Sequence, residues 1–205
     1  MVDKSATSYK QTKFGILPRN KVLKLEVIGT KKGLLFLNKF AKKNRKITLA
    51  FIKQIHKICF ANILVKGAGR FRIIQVTYSG KEAPHFAKIP GMMKTLCDDI
   101  EYALQKLPKK DRNFIERLVE ILSHFQHRFV FIHPFVDYNG RTARMFTNYI
   151  LMRLNLPIIE IKAGKDKERS RYIKALQKAD QGDYRELENI IALVFNESLE
   201  KVMKI

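Results

Sequence analysis

The residues best suited to chemistry stand together in one stretch, Ile132-His133-Pro134-Phe135-Val136-Asp137-Tyr138-Asn139-Gly140-Arg141-Thr142-Ala143-Arg144. An imidazole, one carboxylate, an Asn-Gly turn and two arginines crowd between two helical patterns. Ahead of them, Leu118, Ile121, Leu122, Phe125, Phe129 and Ile132 recur at three- and four-residue steps, which predicts an amphipathic helix. Pro134 closes it and disfavours the α conformation in His133, so the imidazole is expected at the helix boundary, free to point into a cleft. Met145, Phe146, Tyr149, Ile150 and Leu154 give a second stripe. Its helix should start near Asn139 or Gly140, with unpaired N–H groups facing the loop.

A helix N-terminus reached through a tight turn attracts anions, because N–H donors and the positive end of the macrodipole converge there. Phosphate suits it. Arg141 and Arg144 are three apart on one helix face, and their planar forks match phosphate oxygens. Asp137 adds a hard oxygen ligand, and one carboxylate beside nucleotide phosphates is how Mg²⁺ is usually held. His133, with an ordinary pKa of about 6.5, can accept a proton at neutral pH. Together these parts describe attack of a hydroxyl on a nucleotide phosphate. Taken singly, Asp137 reads as a helix cap, Asn139-Gly140 as a plain turn and the arginines as a solvated face; the ordered set favours a site.

The stretch resembles the Fic signature, His-Pro-Phe-x-Asp/Glu-Gly-Asn-Gly-Arg-x-x-Arg, and departs from it at Tyr138, where most members carry glycine. The resemblance implies a mainly α fold, a Fic-type helical bundle with a short β-hairpin flap. It implies transfer of AMP from ATP to a Ser, Thr or Tyr hydroxyl of a target protein. By that likeness His133 is the general base, with Asn139, Arg141 and Arg144 beside it in catalysis. Asp137 is the Mg²⁺ ligand, Tyr138, Asn139, Gly140, Arg141 and Arg144 border the phosphates, and Phe135 anchors the loop. Tyrosine at 138 keeps the backbone N–H but adds bulk, which narrows the nucleotide site or alters which nucleotide fits. Two alternatives stay open: transfer of UMP, phosphate or phosphocholine on the same fold, and a catalytically silent basic binding protein.

The remaining elements must position this loop. A length of 205 residues fits one domain with a real core, and 46% hydrophobic content excludes a disordered basic tail. Lys and Arg number 40 against 19 Asp and Glu, a net charge of +21 spread along the chain. That excess favours nonspecific nucleic-acid or anionic-lipid contact and steers acidic targets or ATP, without naming a partner. Cys59 and Cys97 form no C-x-x-C pair, which points to a reduced, cytoplasmic setting. No signal-peptide core or span-length apolar run is present, so no membrane is expected as a partner. Secretion by a route that reads no apolar signal stays open.

Residues 1–47 read as an N-terminal arm and short helix packed on the core, and 48–205 as the Fic domain. Within the first part, residues 1–20 read as a polar arm, Val22–Ile28 as a short strand or extended segment and Leu34–Ala41 as a short helix. Thr48 caps a helix carrying Leu49, Ile52, Ile55, His56, Cys59 and Phe60, with His56 a buried, hydrogen-bonded side chain. Phe71–Tyr78 reads as strand, turned by Ser79-Gly80. It is similar to the Fic flap, which implies a protein substrate docking by strand addition. Met92, Met93, Leu96, Ile100, Leu104 and Leu107 predict a further helix, and Asp111 a cap for the one delivering His133. His124 and His127 could join His133 as a zinc set, a reading given little weight because no carboxylate or cysteine completes it and His127 turns from the stripe. Pro157 and Gly164 punctuate a loop, followed by helices over Glu168–Ala179 and Tyr184–Leu199. Tyr172–Asp183 is also similar to the segment that comes after the signature in Fic domains, where Tyr172 would border the nucleotide base. No Walker lysine motif is present.

Many Fic proteins carry an inhibitory helix, [Ser/Thr]-x-x-x-Glu-[Gly/Asn], whose glutamate pairs with the second motif arginine. Only Glu188-Asn189 has the right ending, and Tyr184 occupies the Ser/Thr position. The chain is therefore expected to lack an inhibitor of its own, with either a separate antitoxin-like partner offering a glutamate to Arg144 or low expression as the restraint.

Overall fold

The stripe ahead of His133 becomes the axis of the molecule. The computed structural model describes residues 9–108, 111–163 and 166–204. Helix α4 (Phe114–Ile132) buries Leu118, Leu122, Phe125, Phe129 and Ile132 completely. It is flanked by α3 (Ile89–Lys106), α5 (Asn139–Arg153) and α7 (Arg185–Met203), and α6 (Asp166–Ala179) packs on α7. Helix α2 (Leu49–Phe60) sets Phe51 edge-on against Phe146 and Tyr149 of α5, with ring centroids 5.6 and 5.1 Å apart. As expected, Thr48 caps α2, its hydroxyl accepting the Phe51 N–H at 3.2 Å. The fold is mainly α, as the signature implied. Among the described residues no helix is long and apolar enough to cross a membrane.

The N-terminal third differs from its sequence reading. The strand expected at Val22–Ile28 and the short helix at Leu34–Ala41 are one 23-residue helix, α1 (Arg19–Ala41). Its inward positions, Val22, Glu26, Gly29, Gly33, Leu37 and Ala41, step at helical spacing, but two are glycines and one is charged. No apolar stripe exists to announce it. The glycines are there for close approach: a Cβ at Gly29 would lie 1.9 Å from the carbonyl oxygen of Cys59, and one at Gly33 would lie 2.4 Å from both Cys59 Sγ and Met145 Cε. Helix α1 thus lies directly on α2 and α5 and adds Val22, Leu37 and Ala41 to the common core.

Residues 1–8 of the expected polar arm, and Gly164 in the expected loop, lie outside the described residues. Residues 9–18 form an antiparallel hairpin, β1 (Tyr9–Thr12) with β2 (Gly15–Pro18), tied to the end of α2 by Lys13 N–H on Asn62 O at 3.0 Å. The second hairpin is shorter than expected. Only β3 (Thr77–Tyr78) and β4 (Lys81–Glu82) pair, around a Ser79-Gly80 turn with positive φ at both residues. Residues 71–76 form no strand, leaving Ile73 80% and Ile74 56% exposed. Asp111 stands two residues outside the cap of α4, which is Asn113; its carboxylate accepts the Asn113 N–H at 2.9 Å.

Gly29→Ala should lower stability by about 1–3 kcal/mol, since added carbon in a tight interface forces the backbones apart. At this chain length that is a fall of several degrees in Tm, about 2–4 °C per kcal/mol. Gly91→Ala, where a Cβ meets nothing within 4 Å, should not lower it. Thermal melts followed by circular dichroism decide; equal melts for the two variants would refute the close-approach account.

Candidate active site

Helix α4 ends at His133, which turns left-handed with φ 50° and ψ 57°. The following proline excludes a further helical turn there. His133 Nδ1 lies 3.1 Å from the carbonyl oxygen of Val130. A carbonyl only accepts, so Nδ1 carries the proton and Nε2 is left with its lone pair, the form a general base needs. The Tyr78 ring stacks on the imidazole at 4.1 Å and 16°, and its hydroxyl donates to Phe131 O at 3.1 Å. Burial pushes the His133 pKa below 6.5, and the charges of Arg72 and Lys81 act the same way, against the Val130 carbonyl and Asp137.

Buried groups hold the loop after His133. Phe135 is fully buried, as an anchor must be, and stacks on His56 at 3.7 Å and 16°. Gly69 N–H donates to His56 Nδ1 at 2.9 Å, so Nε2–H faces the carbonyl oxygen of Asp137 at 3.1 Å. Burial pulls the His56 pKa down to about 4, so it stays neutral and serves the loop as a main-chain strut, in line with its expected structural role. Asn139 has a different part from the one its place in the signature implied. It is 2% exposed, and its amide clasps Phe135 at both ends, accepting the N–H and donating to the C=O at 2.8 Å each. Its side chain shapes the loop and offers nothing to phosphate. No side chain caps α5, so the N–H groups at Asn139, Gly140 and Arg141 face the loop.

The acid and the first arginine already have partners. Asp137 Oδ1 accepts the Tyr138 N–H at 2.7 Å, and Oδ2 sits 2.6 Å from the Lys10 ammonium, carried in from β1. Lys10 also donates to the Tyr138 hydroxyl at 3.1 Å. Tyr138, left-handed with φ 62°, turns its ring inward, 9% exposed and stacked on Phe60 at 4.3 Å and 9°. Its bulk therefore lies in the core, and its N–H is taken by the Asp137 carboxylate. Its hydroxyl donates to Glu26 Oε1 at 2.9 Å. Arg19 donates to the same oxygen at 2.8 Å, while Arg141 Nη1 approaches Oε2 to 2.5 Å as an ion pair outside hydrogen-bond angles. Burial works to raise the Glu26 carboxyl, but the two guanidinium groups outweigh it and hold it below the ordinary value.

Arg144 turns the other way, its guanidinium 5.9 Å over the Tyr172 ring. Tyr172 is 4% exposed, and its hydroxyl accepts from Gln126; it supports Arg144 and is too covered to border a base, contrary to expectation. A Cβ at Gly140 would lie 3.4 Å from Arg144 Nη1, so glycine there leaves the guanidinium room. Between α1 and residues 158–163, an open groove of about 1030 Å³ is lined by both arginines, Glu26 and apolar side chains including Met145 and Ile161. His127 is buried, not turned outward: its ring nitrogens meet Tyr184 OH at 2.8 Å and Asp180 Oδ1 at 3.0 Å. Asp180 also pairs with Lys81 of β4, which latches the short hairpin to the end of α6.

A family profile described as Fic/DOC matches residues 46–151, from the approach to α2 through most of α5. This chain belongs to the Fic/DOC family. A protein adenylyltransferase Fic of Nematostella vectensis is 30% identical over 183 residues, 89% of this chain but 40% of that protein, so the chain spans less than half its length. The solved structure of Fic-1 from C. elegans is similar at 27% identity and TM-score 0.69, over 87% of this chain and 50% of that one. BepC, a VirB-translocated Bartonella effector protein from Bartonella tribocorum solved with bound AMPPNP, shares the fold at 17% identity and TM-score 0.62, over 93% of each chain.

As a Fic-family loop, this one holds three features that sequence reading missed. The chain does bring its own glutamate to a motif arginine: Glu26 on α1, facing Arg141 where Arg144 was expected. It escaped notice because Val22 and Val27 replace the Ser/Thr and Gly/Asn of the inhibitory pattern. Lys10 had no signal at all, since a hairpin 127 positions away delivers it. Arg72, within the segment read only as strand, is 3% exposed. Because the Lys10 ammonium occupies Asp137 Oδ2, Lys10→Ala should bind divalent cation at least several-fold more tightly, measured calorimetrically with Mn²⁺. Equal affinities in the two proteins would show that the ion pair restrains nothing.

Proposed function

We propose that this Fic-family chain is a protein adenylyltransferase, moving AMP from ATP to a Ser, Thr or Tyr hydroxyl of a target protein. The observation that carries the reading is the Val130 carbonyl on His133 Nδ1, which leaves Nε2 as the base. In this scheme Nε2 takes the hydroxyl proton as the oxygen bonds to the α-phosphorus, and the bond to pyrophosphate breaks. Uncapped N–H groups at the start of α5, with Arg141 and Arg144, receive the phosphates. The adenylyltransferase name of the Nematostella relative and the AMPPNP bound by BepC agree with ATP as donor.

Mg²⁺ fits the site, because the Lys10 ammonium at Asp137 Oδ2 marks a position that favours a cation. Asp137 would hold it, and bound there it would neutralise phosphate charge. The exposed extended segment at Ile73 and Ile74, beside the short hairpin, offers the target a place to add as a strand. The net charge of +21 suits acidic targets and tolerates nonspecific nucleic-acid contact. The free cysteines Cys59 and Cys97, with thiols pushed up to about 12 by burial, suit the cytoplasm. Glu26 provides restraint in cis, and an antitoxin-like partner would add its glutamate at Arg144.

Incubation with ATP and Mg²⁺, read by intact-mass spectrometry, should add an AMP mass to a lysate protein or to the chain. His133→Ala should reduce the rate by ~10²–10⁴ while keeping the fold; a different added mass, or full activity in the variant, refutes the proposal. Because the His133 pKa is lowered, the neutral base persists below pH 6.5. The rate should therefore hold through pH 6.5 and fall only as pH drops through that lowered value; loss already above pH 7 contradicts the assignment.

A further inference from the structure

Burying a guanidinium without an anion is costly, and Arg72, 3% exposed, has no carboxylate partner among the described residues. Every donor it uses goes to a main-chain carbonyl. Nε donates to His133 O at 2.8 Å and Nη1 to Ile74 O at 2.9 Å. Nη2 donates to Pro84 O at 2.5 Å and more weakly to Ile132 O at 3.5 Å. Its backbone N–H adds a bond to Pro134 O at 2.9 Å. Ile132 and His133 form the carbonyl end of α4, where the macrodipole is negative and a buried cation is best tolerated.

The acceptors belong to two structures that must stay in register. Ile74 and Pro84 are the two legs of the β3–β4 hairpin, closed at its base by Ala83 N–H on Val76 O at 3.0 Å. Ile132, His133 and Pro134 are the catalytic turn. A planar fork reaches all of them at once, and a lysine ammonium, a point donor on a flexible stem, cannot. We infer, on the transferase reading above, that Arg72 is a positioning residue: it locks the base of the substrate-docking hairpin to the His133 turn. A hydroxyl carried on a chain lying along that hairpin then arrives at a set place relative to Nε2. Arg72 also belongs to the charges facing the imidazole, with Lys81 from β4 and Asp137 from the loop; the Tyr78 ring and Val130 O complete its surroundings.

Two variants separate fork from charge. Arg72→Lys keeps the charge and loses the fork: turnover on a protein target should fall about 10²-fold and the target KM rise, because small misplacements of reactants cost about that much. The KM for ATP should stay unchanged, and so should the His133 midpoint in an NMR titration. Arg72→Gln loses both, so the same fall should come with a midpoint moved up toward 6.5, since a nearby positive charge has been removed. Faster hydrogen exchange at Ala83 N–H is expected in either variant. A side chain that merely fills the core would lower Tm and leave the KM split, the midpoint and the Ala83 exchange alone, which overturns the inference. If Arg72→Gln does not fold, Arg72→Lys carries the test. If wild-type protein transfers nothing, the transferase reading fails, while midpoint and exchange still judge the lock.

Discussion

Two side chains with Cβ atoms, His133 and Tyr138, are held in the left-handed region five residues apart. Such a conformation costs a non-glycine residue of order 1–2 kcal/mol. The strain lets one helix end and the next begin within a single short loop, so that an imidazole and a helix N-terminus stand at its two ends. Neither conformation is free-standing. Asn139 clasps Phe135, His56 holds the Asp137 carbonyl, and the Tyr138 ring stacks on Phe60. The helices around the loop supply the buried groups that overdetermine its shape, and the chemistry depends on that shape.

Charge is placed around the loop by a different logic. Outside it the chain is strongly basic, yet at its centre a buried glutamate gathers Arg19, Tyr138 and Arg141, and a lysine covers the carboxylate. Groups suited to anions and cations are thus kept neutralised by neighbours from the N-terminal hairpin and α1. On the transferase reading, phosphate and metal would compete with those neighbours for Arg141 and Asp137. The tyrosine at 138 belongs to this restraint: its hydroxyl joins Glu26 to Lys10, a link glycine could not make.

Much of this was legible before any coordinates. The stripes of α4 and α5, the proline stop at 134 and the cap at Thr48 are local signals, and each element formed where its pattern stood. His56 could be placed in the core from its position on the α2 stripe, and Phe135 from the likeness to the Fic signature. Helix α1 could not be read, because its buried face is built from Gly29, Gly33 and Glu26, chosen for close approach and ion pairing. The same holds for Asn139 and Tyr172, for which the family likeness implied ligand contacts but whose polar atoms are spent inside the protein. Lys10, Glu26 and Arg72 reach the loop from elements that the chain brings there only by folding.

Folding fixes which nitrogen of His133 is basic. Nitrogen-15 chemical shifts of the labelled imidazole at neutral pH test it without substrate, metal or turnover. A protonated, pyrrole-like Nδ1 and a bare, pyridine-like Nε2 are predicted; the reverse assignment would leave the site without its base and contradict the account.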